Sequence, residues 1–308
     1  MGIFSASREL GFGYIHTEIQ QIERNPGDPH TTPSERAAYL HGVNTLFELP
    51  SDTRIKPARR WAFSKLSSRN IFLLRQVHRV TKMLRIPVVV ELPYSLPWSD
   101  VNPDSYRLAA NEVRPRIQKC DEGGTVRIDV HIRRALAPEF GKSGQAYDRY
   151  VSTDWYQAVI GVVVNFLQAM QRPHRILIHT DIPRTRWKVP EDTSPGTLAM
   201  WKHHDLFDKQ GYLANEGEDL EKAFSGFGSV EIAREWDPID AMKSMVTADV
   251  LVICASSLSY VAGLLRNENL TVAPRFFHTS PTSWNTISSE MPDHERTRLL
   301  YELSLQFN

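Results

Sequence analysis

Three short runs of residues have the types and spacing to grip an anion. The first, His131-Ile132-Arg133-Arg134, closes an apolar run that begins at Val126. Side chains alternate along a strand, so His131 and Arg133 share a face, and a guanidinium there holds a phosphate by a bidentate fork. A strand end with solvated arginines has the same pattern. The second run, Cys254-Ala255-Ser256-Ser257-Leu258-Ser259, follows a strand-like stretch from Asp249 to Ile253. It delivers a serine pair to the first turn of a helix, where backbone N–H groups, hydroxyls and the helix dipole favour an anion. A plain N-cap serine uses the same geometry. The third, Gly11-Phe12-Gly13, lets backbone approach a ligand closely. It is no dinucleotide fingerprint, because His16 stands where the third glycine belongs, and a tight strand-to-helix turn explains it equally well.

Other chemistries lack their residues. There is no G-x-x-x-x-G-K-[ST] phosphate loop, no H-E-x-x-H, no G-x-S-x-G elbow and no Asp-x-Asp of the kind that holds a metal-bound sugar nucleotide. His203-His204-Asp205 has metal-ligating types, but adjacent helical residues point to different sides, so they read as surface groups. Cys120 and Cys254 stand alone and far apart, which excludes a disulfide scaffold and argues against a cysteine-based zinc cage. No metal site is expected.

The elements that must position these runs alternate between strands and helices. A strand over 2–6 enters the glycine turn and then a helix from about Tyr14, and the three-proline stretch from Asn25 to Pro33 is a loop. Leu73, Val77, Val80 and Leu84 recur at helical spacing and predict a helix over 69–84, with Arg75, Arg79 and Lys82 opposite its apolar face. Residues 87–92 read as a buried strand and 104–119 as a helix. Further on, strands at 126–132, 175–179, 229–232, 249–253 and near 271–274 alternate with helices over 153–171, 238–247 and 257–266. That βαβαβ succession predicts an α/β fold with a doubly wound parallel sheet. The 308 residues allow two domains, 1–122 and 123–308, with the boundary near Asp121-Glu122-Gly123-Gly124. Ligands of such sheets sit beyond the carboxyl ends of the strands, so the residues just after each strand matter most.

Taken together and in this order, the three runs resemble the GDP-fucose-dependent fucosyltransferase superfamily: the α1,2-, α1,6- and protein O-fucosyltransferases and the bacterial nodulation enzymes. Those families carry a glycine turn after the first strand, an H-x-R-R or H-x-R motif, and a late Ser-Ser segment following a strand. The resemblance implies a GT-B-like fold of two facing Rossmann-like domains, an N-terminal acceptor-side domain and a C-terminal nucleotide-sugar-binding one. It implies an inverting, metal-independent glycosyltransferase that needs no cofactor and moves L-fucose from GDP-fucose to a glycan or glycoconjugate hydroxyl. Arg133 matches the arginine on the GDP diphosphate, His131 the histidine beside the nucleotide, and Ser256 and Ser257 the phosphate-binding serines. Gly11, Gly13 and Arg134 complete the nucleotide-sugar-binding set. Asp240 lies near the carboxylate that meets guanine, whose adjacent N–H donors suit an acid. The chain departs from the family after Arg134, where Ala135-Leu136 replaces an expected acid. Glu139 and Asp148 are the carboxylates left as catalytic base, with Lys142 a further polar candidate. A catalytically inactive glycan- or nucleotide-binding relative, and a transferase using another nucleotide sugar, are the alternatives.

Charge divides the chain. The 36 Lys plus Arg balance 36 Asp plus Glu, yet residues 54–85 hold ten Lys or Arg and no acid, whereas Glu216, Glu218, Asp219 and Glu221 cluster in an acidic stretch. A basic helix face is usually solvated surface; the competing expectation is an anionic acceptor or a membrane-bound saccharide carrier, with peripheral membrane contact. No base-reading motif points to nucleic acid. No apolar run approaches the roughly 18 residues of a membrane span. Met1–Ala6 has neither a charged n-region nor a long apolar core, so the expected compartment is the cytoplasm, or else the chain is a soluble domain truncated from a secretory-pathway enzyme.

Overall fold

The structure, a computed structural model, describes residues 33–48, 59–62, 68–84, 88–91, 106–117, 123–134, 151–182, 195, 207–208, 211–212, 219–234, 237–266, 269–275 and 280–308. The predicted first strand, the glycine turn with Gly11 and Gly13, Glu139, Lys142, Asp148 and His203–Asp205 lie outside them. Two compact units are present, one built around Val43–Arg116 and the other around Gln21–Gly42, Ile117–Phe277 and Thr282–Asn308, so that most of the first helix belongs to the second unit.

Helix α1 (Pro33–Leu46) is followed by a β-α-β element: β1 (Arg59–Ala62), α2 (Ser68–Leu84) and β2 (Val88–Glu91). The two strands are parallel, with Arg59 opposite Val88 and Ala62 opposite Glu91. Helix α3 (Tyr106–Val113) tightens into a 3-10 turn at Arg114–Arg116, where Pro115 has no N–H to continue the ladder. Helix α2 forms where its spacing predicts, but turned about its axis by roughly a quarter-turn, so that Leu74, Val77, His78 and Thr81 form the inward side. Leu74 is buried, whereas Leu73, Val80 and Leu84 of the expected apolar stripe are exposed.

The second unit carries β3 (Val126–Ile132), α4 (Thr153–Ala169), β4 (His174–Thr180), the two-residue strands β5 (Phe207–Asp208) and β6 (Gly211–Tyr212), and the short helix α5 (Leu220–Phe224). It continues with β7 (Val230–Arg234), α6 (Pro238–Thr247), β8 (Val250–Val252), α7 (Ser257–Leu265), β9 (Thr271–Pro274), β10 (Asn285–Ile287) and α8 (Asp293–Phe307). Six strands form one parallel sheet in the order β10-β9-β8-β3-β4-β7. Counted within the unit, that is the doubly wound order 3-2-1-4-5-6, a Rossmann-like arrangement whose direction of winding reverses between β3 and β8.

Strand alternation gives this sheet two unlike faces. Val126, Ile128, Val130 and Ile132 of β3 enter an apolar core with Val159, Ile160, Val163 and Leu167 of α4, Phe224 of α5, and Leu299 and Leu303 of α8. Arg127, Asp129 and His131, equally buried, point the other way, toward α6. Helices α4 and α6 start at polar caps: Ser152 accepts from the Trp155 N–H (3.3 Å) ahead of α4, and Asp237 from the Ile239 N–H (2.7 Å) ahead of α6. At the amino end of the sheet the buried Arg266 donates to the carbonyls of Met245 (2.6 Å), Asp249 (3.0 Å) and Leu270 (3.2 Å), tying α6, β8 and the approach to β9 together. No helix among the described residues is long and apolar enough to cross a membrane.

The seat of α7 is tight. A Cβ at Gly263 would stand 2.6 Å from Cζ2 and 2.8 Å from Cη2 of Trp284, whose rigid indole is itself held edge-on against Tyr260 with ring centroids 5.1 Å apart. Gly263→Ala is therefore expected to overpack this contact and cost about 1–3 kcal/mol, read as a lowered midpoint in urea unfolding.

Candidate functional site

The two anion-gripping runs of the second unit meet at the switch point. Val130 pairs with Val252, and beyond that pair the strands' continuations touch, with Cys254 Sγ 3.3 Å from His131 Nδ1. Sequence separation of more than a hundred residues is thus closed at the carboxyl edge of the sheet, where a Rossmann-like unit takes its ligand.

After β8 the chain turns sharply. The Ser256 N–H donates to the Cys254 carbonyl (2.8 Å), and the buried Ser259 hydroxyl points back at the carbonyls of Cys254 and Ser256, both 3.4 Å away. Ser256 is the N-cap of α7 with extended backbone, but its hydroxyl makes no capping hydrogen bond. The N-cap side chain therefore leaves the first-turn N–H groups of α7 uncovered, and Ser257 beside them is exposed. Uncapped donors at the positive end of a helix are the groups that an anion satisfies.

His131 contributes no charge here. Burial first, then the charges of His179 and Arg133, push its imidazole down to about 3, so it is neutral at ordinary pH. Burial raises the Cys254 thiol to about 11, against a lesser opposing pull from Ser259 and Arg133, which leaves it protonated and unreactive.

The two arginines divide their work. Arg133 keeps 27% of its side chain exposed, and its Nε lies 3.7 Å from Oδ2 of Asp181, the residue just past β4. Arg134 is turned inward and only 1% exposed. Its guanidinium donates to the Val151 carbonyl (3.0 Å) and the Thr153 hydroxyl (2.9 Å) and lies 5.9 Å from the Tyr156 ring centroid, while its backbone N–H donates to Asp181 Oδ1 (2.7 Å). Arg134, expected on the nucleotide, is thus engaged at the start of α4, because a residue one step further along the chain from Arg133 points to the opposite side. Asp240, expected on guanine, sits exposed in the first turn of α6 with its carboxylate 3.5 Å from Lys243 Nζ.

Beneath the site lies a charged network that the motif reading missed. Asp129 is fully buried and accepts from Arg127 Nε (3.0 Å), His179 Nε2 (2.9 Å) and the Ser244 hydroxyl (2.7 Å). Burial alone would raise its pKa, but the His179 hydrogen bond and the charges of His179 and Arg127 more than offset that and hold it below the usual carboxylate range. An ionised carboxylate only accepts, so His179 donates from Nε2. Arg127 also donates to the Ser244 carbonyl and the Thr247 hydroxyl, each 2.6 Å away, anchoring the last turn of α6. The signal was present in Arg127-x-Asp129-x-His131-x-Arg133, four polar side chains at period two inside a Val/Ile strand. Asp181 likewise satisfies the rule that the residue after a strand matters.

Among the described residues no group of three His, Cys, Asp or Glu could hold a metal ion. No family model matches the chain, and no curated protein matches it in sequence.

Two outcomes follow from this geometry. Arg134→Ala should remove about 2–4 kcal/mol of stability in chemical denaturation by orphaning the groups it binds, whereas Arg133→Ala should cost no more than about 1 kcal/mol. The depressed His131 means that the unfolded chain takes up a proton the folded one refuses between about pH 6.5 and about 3. Stability should therefore fall with acidification through that window, by up to about 1.4 kcal/mol per pH unit from this residue. His131→Gln should flatten the slope relative to the parent, and an unchanged slope would show that His131 titrates normally.

Proposed function

We propose that the protein is an inverting, metal-independent glycosyltransferase that moves L-fucose from GDP-fucose to a hydroxyl of a glycan or glycoconjugate. The observation that carries the reading is the convergence at one switch point of Arg133, with part of its side chain exposed, and the uncapped start of α7 at Ser256-Ser257. A diphosphate fits that pair: the guanidinium supplies a fork for its oxygens, and the helix start supplies aligned N–H donors.

In the proposed step the acceptor oxygen attacks C1 of the sugar and the bond from C1 to the diphosphate oxygen breaks. The electron pair leaves with GDP, and the hydroxyl proton passes to a base. Arg133 counters the charge that develops on the leaving diphosphate, in place before the reaction starts. Neutral His131 stays beside it as a hydrogen-bonding group. Glu139 and Asp148 are the carboxylates proposed for the base, Asp240 is proposed for guanine, and the Gly11-Phe12-Gly13 turn for close backbone approach. The reading brings with it a GT-B-like pair of facing domains with the acceptor on the N-terminal one.

Titration calorimetry of the intact protein with GDP tests this. Binding is expected, and Arg133→Ala should weaken it by roughly 10- to 100-fold, the worth of a charge-assisted hydrogen bond pair. Absence of GDP binding, an unchanged affinity in the variant, or a stronger thermal shift with UDP would overturn the donor assignment. One observation favours a second reading, an inactive nucleotide-binding relative: Ala135-Leu136 stands where the resembled family has its acid. GDP-fucose turnover separates the two, since a single authenticated turnover removes the inactive alternative.

A further inference from the structure

We propose that the outer face of α2 is a docking surface for an anionic lipid bilayer. The helix is amphipathic the wrong way round for a solvated element. Its inward side offers Leu74, 1% exposed, with Val77, His78 and Thr81 half-buried, and the Thr81 hydroxyl is spent on the Val77 carbonyl of its own helix (2.8 Å). Its outward side carries Leu73 (49% exposed), Val80 (49%), Leu84 (54%) and Met83 (74%). At about 100° per residue, Leu73, Val80 and Leu84 fall within roughly 40° of one another, a stripe some 16 Å long with Met83 along one edge. Scattered exposed apolar residues are ordinary; a continuous stripe rimmed by charge marks a contact surface.

Charge identifies the occupant. Arg79 and Lys82 are exposed beyond Met83 on the same flank, and the whole segment 54–85 has ten Lys or Arg with no acidic residue. An acidic protein partner would answer the cations and leave the long aliphatic side chains to a matching groove of its own. A bilayer meets both needs in one plane, with acyl chains for Leu73, Val80, Met83 and Leu84 and anionic headgroups for Arg79 and Lys82. That is the arrangement of an interfacial helix lying flat, its apolar side buried a few ångströms below the headgroups. The inference does not rest on the nucleotide-sugar reading, because none of these residues belongs to the unit that holds Arg133.

Co-sedimentation of the intact protein with phosphatidylcholine vesicles, with and without phosphatidylglycerol, tests it. The protein should pellet with the anionic vesicles only, and less as salt rises. Val80→Asp/Met83→Asp should reduce binding by about tenfold or more, and Lys82→Glu by roughly fivefold or more, each with the melting temperature of the parent. All these substitutions are at exposed positions, so folding is expected to survive. No binding to anionic vesicles, equal binding to neutral ones, or variants that bind like the parent would overturn the proposal. So would a vesicle-free dimer, seen by light scattering, that Val80→Asp/Met83→Asp dissolves, since the face would then belong to a second copy. GDP titration of the same variants keeps this result separate from the donor reading.

Discussion

The second unit is organised around a carboxylate that has no access to water. Asp129 lies in the middle of the central strand, and an isolated ion there would be too costly to bury, so its neighbours are constrained to answer it. Arg127 comes from the same strand two residues earlier, His179 from the adjoining strand, and Ser244 from the helix above. Each therefore fixes a different element: the register of β3 with β4 and the seat of α6 are set by one set of short hydrogen bonds. A network of this kind is valuable only when complete, because removing one partner leaves a buried charge. The opposite face needs no such matching, since Val and Ile from the same strand pack against α4 and α8 by shape and volume alone.

That two-faced strand is also what delivers the site. Continuing the period-two alternation past Asp129 brings first His131 and then Arg133 to the carboxyl edge, on the side where α7 begins. The winding order leaves a crevice between β3 and β8 because the crossovers depart in opposite directions from it. His131 is kept neutral by the burial that the strand imposes, so the positive character of this edge rests on the Arg133 guanidinium and the start of α7.

Much of this was legible in the sequence where one physical rule dominated. Val126–Ile132, Pro238–Thr247 and Thr271–Pro274 carry uninterrupted patterns or clear caps, and the elements begin and end where those signals stand. Strand β10 is only Asn285–Ile287, too short for any period to show, and α8 places its buried Leu299 and Leu303 among exposed Leu300, Tyr301 and Leu305, which blurs its apolar face. Helix α2 shows the limit of periodicity: Leu73, Val80 and Leu84 mark an apolar face, but not whether the protein's own core will cover it. At the site, the run His131–Arg134 announced itself by residue type. Which arginine stays accessible depends on where the chain turns after the strand, and Asp181 is met only through the folded sheet.

The pairing of Arg133 with Asp181 has a consequence for selectivity. A guanidinium already shared with a carboxylate is a poor trap for chloride or free phosphate, which must compete with the Asp181 carboxylate 3.7 Å from its Nε. A ligand gains most when it brings several negative oxygens at once and can reach the first turn of α7 as well. Under the proposed reading the crevice would set a threshold: chloride and free phosphate would fall below it, and a diphosphate reaching both groups would rise above it.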